Sequence, residues 1–274
     1  MHITRRAAAL TVSTLAVVAL LLYVAGAASA GTAGHARVKP TVVLVHGAWA
    51  DSSSWDGVAA RLLDDGYPVE VFPTPLRSLS GDARALREYL GAITGPIVLV
   101  GHSYGGAVIT NAATGSAAVR ALVYVDAFAP AEGQAVISLS GPDSVLANPV
   151  ITDVFDLVPA GAPVLTTDFY INKALFPSAF ANDLPPARGR VLAVTQRPIT
   201  YGALGEPSGA PAWQTIPSWY EVGTKDKVIP ASAQRAMAAS IKAHVTVSPT
   251  GHLPMVSRPG DVTATIESAA RATQ

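Results

Sequence analysis

The sequence predicts an α/β domain built on a doubly wound, mostly parallel six-stranded sheet with an inserted cap. Six apolar runs are continuous rather than alternating, as expected for strands covered by helices on both faces. Amphipathic helix patterns lie between them, and strand–helix alternation is typical of a parallel sheet. The predicted strands are Thr41–Val45, Val69–Phe72, Ile97–Val100, Ala121–Val125, Ser218–Val222 and Val245–Val247.

The first thirty residues precede the predicted domain and have the pattern of a signal peptide. Arg5–Arg6 gives a basic start, Ala7–Val24 is uncharged and apolar, and Ala28–Ser29–Ala30 fits a small-residue cleavage site. Residues 31–40 would then form a linker to the domain, which covers residues 41–274. The 18 residues of the apolar stretch also reach the length that spans a bilayer, so an N-terminal membrane anchor is the alternative. Both interpretations predict an exported protein, and cleavage of the signal would leave no stable membrane insertion.

Composition limits the partners and cofactors of the chain. Its 19 basic and 19 acidic residues form no long run of either sign, which excludes the charge pattern of a nucleic-acid-binding protein. The absence of cysteine excludes disulfides, thiolate metal sites and cysteine nucleophiles. The 244 residues after position 30 suffice for one α/β domain with a large core. No motif implies a cofactor or a metal, and none indicates the oligomeric state.

The first two helices are predicted from apolar spacing and from the residues that flank it. Apolar residues recur at helical spacing from Trp55 to Leu63, and Ser54 is the expected cap. The next helix has one apolar face from Ala83 to Ile93, with Ser80 as its cap and Gly95–Pro96 after its end.

The strand–helix alternation stops between the fourth and fifth strands. Residues 127–215 hold eleven of the 21 prolines, which predicts an inserted cap of short helices and loops over the carboxyl edge of the sheet. Aromatic side chains in the cap favour an apolar substrate cavity over an open cleft for a polymer, although any one of them more often belongs to the core of the cap itself. These residues are Phe128, Phe155, Phe169, Tyr170, Phe176, Phe180, Tyr201 and Trp213.

The most informative motif is Gly101-His102-Ser103-Tyr104-Gly105-Gly106, which follows the third strand and precedes an apolar helix pattern. A G-x-S-x-G sequence in this context is typical of a nucleophile elbow, a sharp turn that presents one serine hydroxyl at the carboxyl edge of the sheet. Gly101 and Gly105 permit the turn, because a Cβ at either position would crowd the strand and helix. The pattern therefore predicts Ser103 as a nucleophile; the alternative is a glycine-rich connection in a protein without catalytic activity.

A serine nucleophile needs a base within hydrogen-bond reach and a carboxylate that orients the base. Among six histidines, His252 follows the sixth strand and so reaches the edge that holds Ser103, whereas His102 lies in the elbow with its side chain pointing away. For the carboxylate, Asp226 follows the fifth strand and Asp126 ends the fourth, and spacing alone excludes neither. We favour Asp226, because a loop ending in Asp226–Pro230 before a helix fits the usual arrangement better. We expect Asp126 to form a cap or hydrogen bond at the start of the cap segment.

The loop after the first strand, His46-Gly47-Ala48-Trp49, is predicted to complete an oxyanion hole. An oxyanion needs two preorganised N–H donors, and the residue after the nucleophile, Tyr104, supplies one of them. We assign the second to the backbone N–H of Ala48. Gly47 lets the loop turn towards Ser103, and the His46 ring is expected to brace that turn rather than carry protons.

Together these residues resemble the α/β-hydrolase superfamily, and more closely its small serine esterases, a branch that includes plant methylesterases and hydroxynitrile lyases. The similarity runs from about Pro40 to the C-terminus. It implies the α/β-hydrolase fold and the chain order serine, acid, histidine. Leu253 stands where the lyases have a lysine that stabilises the cyanide leaving group, which argues against lyase activity. The motifs that carry the resemblance are Val43–Trp49, Gly101–Gly106, Tyr124–Phe128, Ile216–Ser218, Asp226–Pro230, Gly251–His252 and Ser257–Pro259.

The sequence thus predicts a serine hydrolase that cleaves small apolar carboxylic esters through an acyl-enzyme intermediate. One alternative is a cofactor-free, haloperoxidase-like perhydrolase, which would use the same residues with peroxide in place of water. Another is a ligand-binding protein of the same fold that has no catalytic activity. Serine at position 103 argues against the dehalogenases and epoxide hydrolases of this fold, which resemblance implies would carry aspartate there.

Overall fold

The computed structural model describes residues 38–273 and contains a large parallel sheet. The strands of the described part are β1 (Thr41–Val45), β2 (Val69–Phe72), β3 (Ile97–His102), β4 (Val119–Val125), β5 (Phe155–Val158), β6 (Asp168–Ile171), β7 (Ile199–Thr200), β8 (Ser218–Gly223) and β9 (His244–Ser248). Six of these form the large sheet in the order β2-β1-β3-β4-β8-β9, and every neighbouring pair is parallel. The predicted doubly wound sheet is therefore confirmed, and its six predicted strands match these six.

Two groups of helices cover the sheet. The helices among residues 38–273 are α1 (Asp56–Asp64), α2 (Leu79–Leu90), α3 (Tyr104–Ala112), α4 (Ile151–Val154), α5 (Phe176–Ala179), α6 (Pro186–Thr195), α7 (Tyr201–Gly205), α8 (Ala231–Ser240), α9 (Pro254–Ser257) and α10 (Pro259–Ala272). Helix α3 packs against β1, β3 and α2, whereas α10 packs against β4, β8 and α1. Strand β3 is buried along its whole length between them, which explains its continuous apolar sequence.

Strands β1 and β3 are neighbours at the point where the order in which the chain adds strands to the sheet reverses direction. The chain passes from β1 to β2 on one side and then returns to β3 on the other. Val45 pairs with Gly101, and His102 pairs with Val125, so β1, β3 and β4 end at the same level. Residues that follow these strands meet at one carboxyl edge, where ligand sites of open α/β sheets lie.

Both predicted helix caps are wrong by a few residues. A 3₁₀ turn at Ser52–Trp55 precedes α1, and its cap is Asp51, whose side chain accepts from the N–H of Ser53 at 2.8 Å. Ser54 instead closes the capping box by accepting from the N–H of Asp51. At α2 the cap is Ser78 rather than Ser80, because the Ser78 hydroxyl accepts from the N–H of Gly81 at 3.2 Å.

The cap lies between β4 and β8 and contains more regular structure than expected. Besides the short helices α4 to α7, it holds an antiparallel sheet in the order β5-β6-β7. These strands are two to four residues long, too short for a clear alternating pattern. The predicted signal peptide, residues 1–30, and most of the linker lie outside the described residues. Within residues 38–273, no helix has the length and hydropathy of a membrane-spanning segment.

Candidate active site

Ser103 lies at a sharp turn between β3 and α3, as the motif predicts. Its backbone has φ 51° and ψ −124°, a left-handed conformation that is rare for residues other than glycine. A Cβ on Gly101 would lie 2.6 Å from the carbonyl oxygen of Gly105, and a Cβ on Gly105 would lie 2.5 Å from that of Val45. These contacts involve backbone atoms that cannot move aside, so both glycines are needed for the turn.

The three predicted side chains form one hydrogen-bonded chain. The Ser103 Oγ lies 3.0 Å from Nε2 of His252, and Nδ1 of the same ring lies 2.7 Å from Oδ2 of Asp226. A carboxylate only accepts, so Nδ1 carries the proton and Nε2 is left to accept from the serine hydroxyl. All three side chains are buried, which keeps water from competing for these hydrogen bonds.

Asp226 is held in place by the loop that follows β8. Its Oδ1 accepts from the backbone N–H groups of Val228 at 2.7 Å and Ile229 at 3.0 Å. Its Oδ2 accepts from the side-chain amide of Gln234 at 2.8 Å, in addition to His252. These four hydrogen bonds fix the carboxylate towards the ring, and they distinguish Asp226 from the rival Asp126.

Asp126 directly follows β4, has φ 42° and makes a different contact. Its Oδ1 accepts from the backbone N–H of Gly223 at 2.7 Å, so its partner is the end of β8. Among the described residues, Oδ2 of Asp126 is buried without a hydrogen-bond partner. Burial raises the pKa of this carboxyl well above its usual range, and the charges of Asp226 and Glu221 raise it further.

His46 and His102 have structural hydrogen bonds instead of contacts with the serine hydroxyl. The His46 ring donates from Nδ1 to the carbonyl of Gly47 at 2.9 Å and accepts at Nε2 from the N–H of Thr74 at 3.1 Å. Burial lowers the pKa of His46 to about 4, so the ring is neutral at physiological pH. His102 donates from Nε2 to the backbone carbonyl of His252 at 2.8 Å, an interaction that braces the histidine loop.

The two predicted oxyanion donors lie beside Ser103. Ala48 and Tyr104 line the same cavity as the serine. The next N–H along the loop, that of Trp49, is donated to the carbonyl of Arg197 at 3.0 Å. The N–H of Trp49 is therefore engaged elsewhere, which is consistent with the expectation that Ala48 supplies the second donor.

The cavity above Ser103 has a volume of about 360 Å³. Its walls are mainly apolar and aromatic, and no charged side chain of residues 38–273 lines it. Three of the predicted aromatic residues, Phe128, Phe155 and Phe169, contribute to these walls. Phe180 packs with its ring 4.9 Å from the His252 ring, so it supports that ring rather than lining the cavity. Such a cavity suits a small uncharged ligand.

Sequence reasoning did not find two residues that hold the site together. Asn182, in the cap, donates its side-chain amide to the carbonyl of Lys225 at 2.9 Å, and its Oδ1 lies against Gly251. It therefore touches both the loop before Asp226 and the loop before His252. Gln234 orients Asp226 from α8. Neither residue belongs to a recognisable motif, because each acts through contacts between segments that are distant in sequence.

A family model supports the identification of this arrangement. The model of the alpha/beta hydrolase family matches residues 42–266, which include the sheet, Ser103, Asp226 and His252. The chain belongs to the α/β-hydrolase family. Within this α/β-hydrolase, the site lies at the carboxyl edge of the parallel sheet and beneath the cap.

Several known proteins are similar to this α/β-hydrolase in sequence or in fold. A carbendazim hydrolyzing esterase from Nocardioides sp. (strain SG-4G) is 40% identical over 111 residues, which cover 35% of this chain and 46% of that esterase. An extracellular α/β-hydrolase from a Paenibacillus species has a TM-score of 0.72 at 21% identity, covering 85% of this chain and 99% of that one. A pyrethroid hydrolase from Sphingobium faniae JZ-2 has a TM-score of 0.69 at 22% identity, covering 85% and 98%. The two structures show a shared fold.

Proposed function

We propose that this α/β-hydrolase is a serine esterase that cleaves small, uncharged carboxylic esters through an acyl-enzyme intermediate. The observation that carries the proposal is the hydrogen-bonded chain from Ser103 Oγ through His252 to Asp226, with separations of 3.0 Å and 2.7 Å. A buried hydroxyl of ordinary acidity becomes a nucleophile when a neutral imidazole accepts its proton. The esterase named among the relatives supports the same class of reaction.

In the proposed first step, Ser103 Oγ attacks the ester carbonyl while its proton passes to Nε2 of His252. Asp226 keeps Nδ1 protonated and stabilises the imidazolium that forms. The backbone N–H groups of Ala48 and Tyr104 bind the negative oxygen of the tetrahedral intermediate. The imidazolium then protonates the leaving alcohol, which departs and leaves Ser103 acylated.

In the second step, water replaces the alcohol. His252 accepts a proton from water as the water oxygen attacks the acyl carbonyl, and the same two N–H groups bind the second oxyanion. The imidazolium returns the proton to Ser103 Oγ as the carboxylic acid is released. Each cycle consumes one ester and one water, and no redox change occurs.

The cavity supports the choice of an uncharged substrate. Its apolar walls, which include Trp49, Leu146 and Ile151, would strip water from a charged acyl or alcohol group without supplying a counter-charge. An uncharged apolar group gains free energy when the same walls cover it. We therefore expect short aryl esters to be hydrolysed faster than esters that carry a carboxylate or an ammonium group.

The decisive experiment compares wild type with Ser103→Ala and His252→Ala. We expect hydrolysis of p-nitrophenyl acetate to fall by about 10⁴- to 10⁶-fold in Ser103→Ala, because members of such a catalytic unit act together. A fluorophosphonate probe should label wild type and neither variant. Ser240→Ala, which removes an exposed hydroxyl at the end of α8, is the matched control and should retain activity.

Two outcomes would contradict the proposal. Comparable turnover in Ser103→Ala would show that another group performs the reaction, and absence of labelling in wild type would indicate a ligand-binding protein. Halogenation that requires hydrogen peroxide, with little ester hydrolysis, would instead support the perhydrolase alternative.

A further inference from the structure

A second buried carboxyl group lies next to the proposed catalytic chain. One oxygen of Asp126, one oxygen of Asp226 and one ring nitrogen of His252 all lie within 4.8 Å of one another. The three side chains are buried, and they come from three separate segments of the chain. Asp126 is the first residue after β4, the strand between the one that ends before Ser103 and the one that ends before Asp226.

The contacts of Asp126 do not explain why a carboxyl group is needed there. Its Oδ1 accepts from the N–H of Gly223, but that N–H is also within 3.2 Å of the side-chain oxygen of Gln234, which serves as a second acceptor. Its Oδ2 is buried and has no partner within residues 38–273. A purely structural role would be filled by an uncharged side chain, which would avoid an unpaired buried oxygen.

The surroundings of Asp126 favour its neutral form while Asp226 is charged. Burial is the largest cause of its raised pKa, and the nearby carboxylates add to it. Within the described part of the chain, the N–H of Gly223 is the only group that donates to it, and this hydrogen bond lowers the pKa. Loss of the charge at Asp226 would therefore make ionisation of Asp126 easier. The titratable groups that face it are Asp226, Glu221, Asp183, Tyr220 and His252.

We propose that Asp126 is a reserve partner of the His252 imidazolium and takes over this positioning role when Asp226 is absent. The inference rests on the proposed function, because an imidazolium forms in the reaction only if His252 acts as the base. With Asp226 removed, the site keeps one buried carboxylate within 4.8 Å of the ring. A small side chain at position 226 would also leave space for Asp126 to approach Nδ1.

A double-mutant cycle with Asp226→Ser and Asp126→Asn tests this inference. Loss of the orienting carboxylate typically lowers kcat by about 10⁴-fold in serine hydrolases. We expect Asp226→Ser to lose only about 10²-fold in kcat/KM and in the rate of fluorophosphonate labelling, and the double variant to lose about 10⁴-fold. Asp126→Asn should therefore cost much more activity in the Asp226→Ser background than in wild type.

The pH profile supplies a readout that a structural role would not change. In Asp226→Ser the rate depends on ionised Asp126, so it should rise with pH through an ionisation that is missing from the double variant. The matched control is Asp64→Asn in the Asp226→Ser background, which neutralises an exposed carboxyl at the end of α1 that is not among the charges acting on Asp126. The kcat/KM of this control double variant should lie within a few-fold of that of Asp226→Ser.

Equal losses in Asp226→Ser and in the double variant, with the same pH profile, would overturn the inference. Wild-type protein that the probe does not label would instead refute the proposed function, and the inference with it. If Asp226→Ser lacks a cooperative thermal transition, the isosteric Asp226→Asn replaces it, and the same comparison with its double variant decides.

Discussion

Gly47 packs closely against Ser103, so Gly47→Ala is the sharpest test of the proposed oxyanion loop. A Cβ at this position would lie 2.6 Å from Cβ of Ser103 and 2.8 Å from the carbonyl oxygen of His102. Non-bonded carbons need about 3.5 to 4.0 Å, so the new methyl group overlaps Ser103 by about 1 Å. Ser103 cannot withdraw, because its carbonyl accepts from the N–H groups of Gly106 at 2.9 Å and Phe128 at 3.1 Å.

The loop of residues 46–49 must therefore move, and it carries the Ala48 N–H with it. Loss of one oxyanion donor typically lowers kcat by about 10²- to 10³-fold, or about 3 kcal/mol of transition-state stabilisation. The movement also strains the hydrogen bonds of His46 with Thr74 and of Trp49 with Arg197. We expect an additional loss of about 1 to 3 kcal/mol in folding free energy, as for other overpacked sites.

The assay is kcat and KM for p-nitrophenyl acetate, together with the thermal midpoint. The loss should appear mainly in kcat, because the donors act on the oxyanion rather than on the bound ester. Gly260→Ala is the matched control, since the nearest atom to its new Cβ would be Nε of Arg61 at 3.9 Å. Activity of Gly47→Ala within threefold of wild type, at an unchanged midpoint, would refute the reasoning.

Two further predictions concern residues around the site. Burial raises the pKa of Glu221 to about 7 from 4.5. Because the unfolded chain loses this proton at lower pH than the folded protein, wild type loses stability as pH rises from about 4.5 to 7, and Glu221→Gln should remove that loss. We expect the variant to be more stable than wild type by about 3 kcal/mol above pH 7, with little difference near pH 4, as measured by urea unfolding; an equal difference at both pH values would contradict this. Asn182→Ala should lower kcat by about tenfold with little change in KM, because the loops before Asp226 and His252 lose a shared contact. The control Asn172→Ala, in the same cap, should not lower kcat. Equal kcat values for these two variants would show that Asn182 does not position the loops.

The sheet could be predicted because burial on both faces requires its central strands to be apolar along nearly their whole length. Strands β1 and β3 are covered on both faces, so nearly every residue in them must be apolar, and the runs stand out in the sequence. The elbow was predictable for a similar reason, since its tight turn tolerates only glycine at positions 101 and 105. Parallel strands then place the residues after β3, β8 and β9 at one edge, whatever the length of chain between them.

The choice between Asp126 and Asp226 shows what the sequence could not decide. Both aspartates follow adjacent strands of the sheet, so strand order brings both to the same edge. Their hydrogen bonds differ because of local backbone geometry after β8, where Val228 and Ile229 turn their N–H groups towards Asp226. Those two hydrogen bonds are local, which is why the segment Asp226–Pro230 favoured Asp226. The contacts of Asp226 with His252 and of Asn182 with Gly251 join distant segments, and no local pattern of residues encodes them.

Backbone strain links the stability of the sheet to the chemistry of its edge. Trp49, Ser103 and Asp126 follow three adjacent strands, and their φ values are 58°, 51° and 42°. Such conformations cost of the order of 1 to 3 kcal/mol each in residues other than glycine. Each buried aliphatic residue of β1 and β3 contributes about 1.5 to 3 kcal/mol, so a few of them offset the strain. Because the strands cannot shift without losing this burial, the strained turns hold the loop of Ala48, the hydroxyl of Ser103 and the carboxyl of Asp126 in fixed positions before any substrate binds.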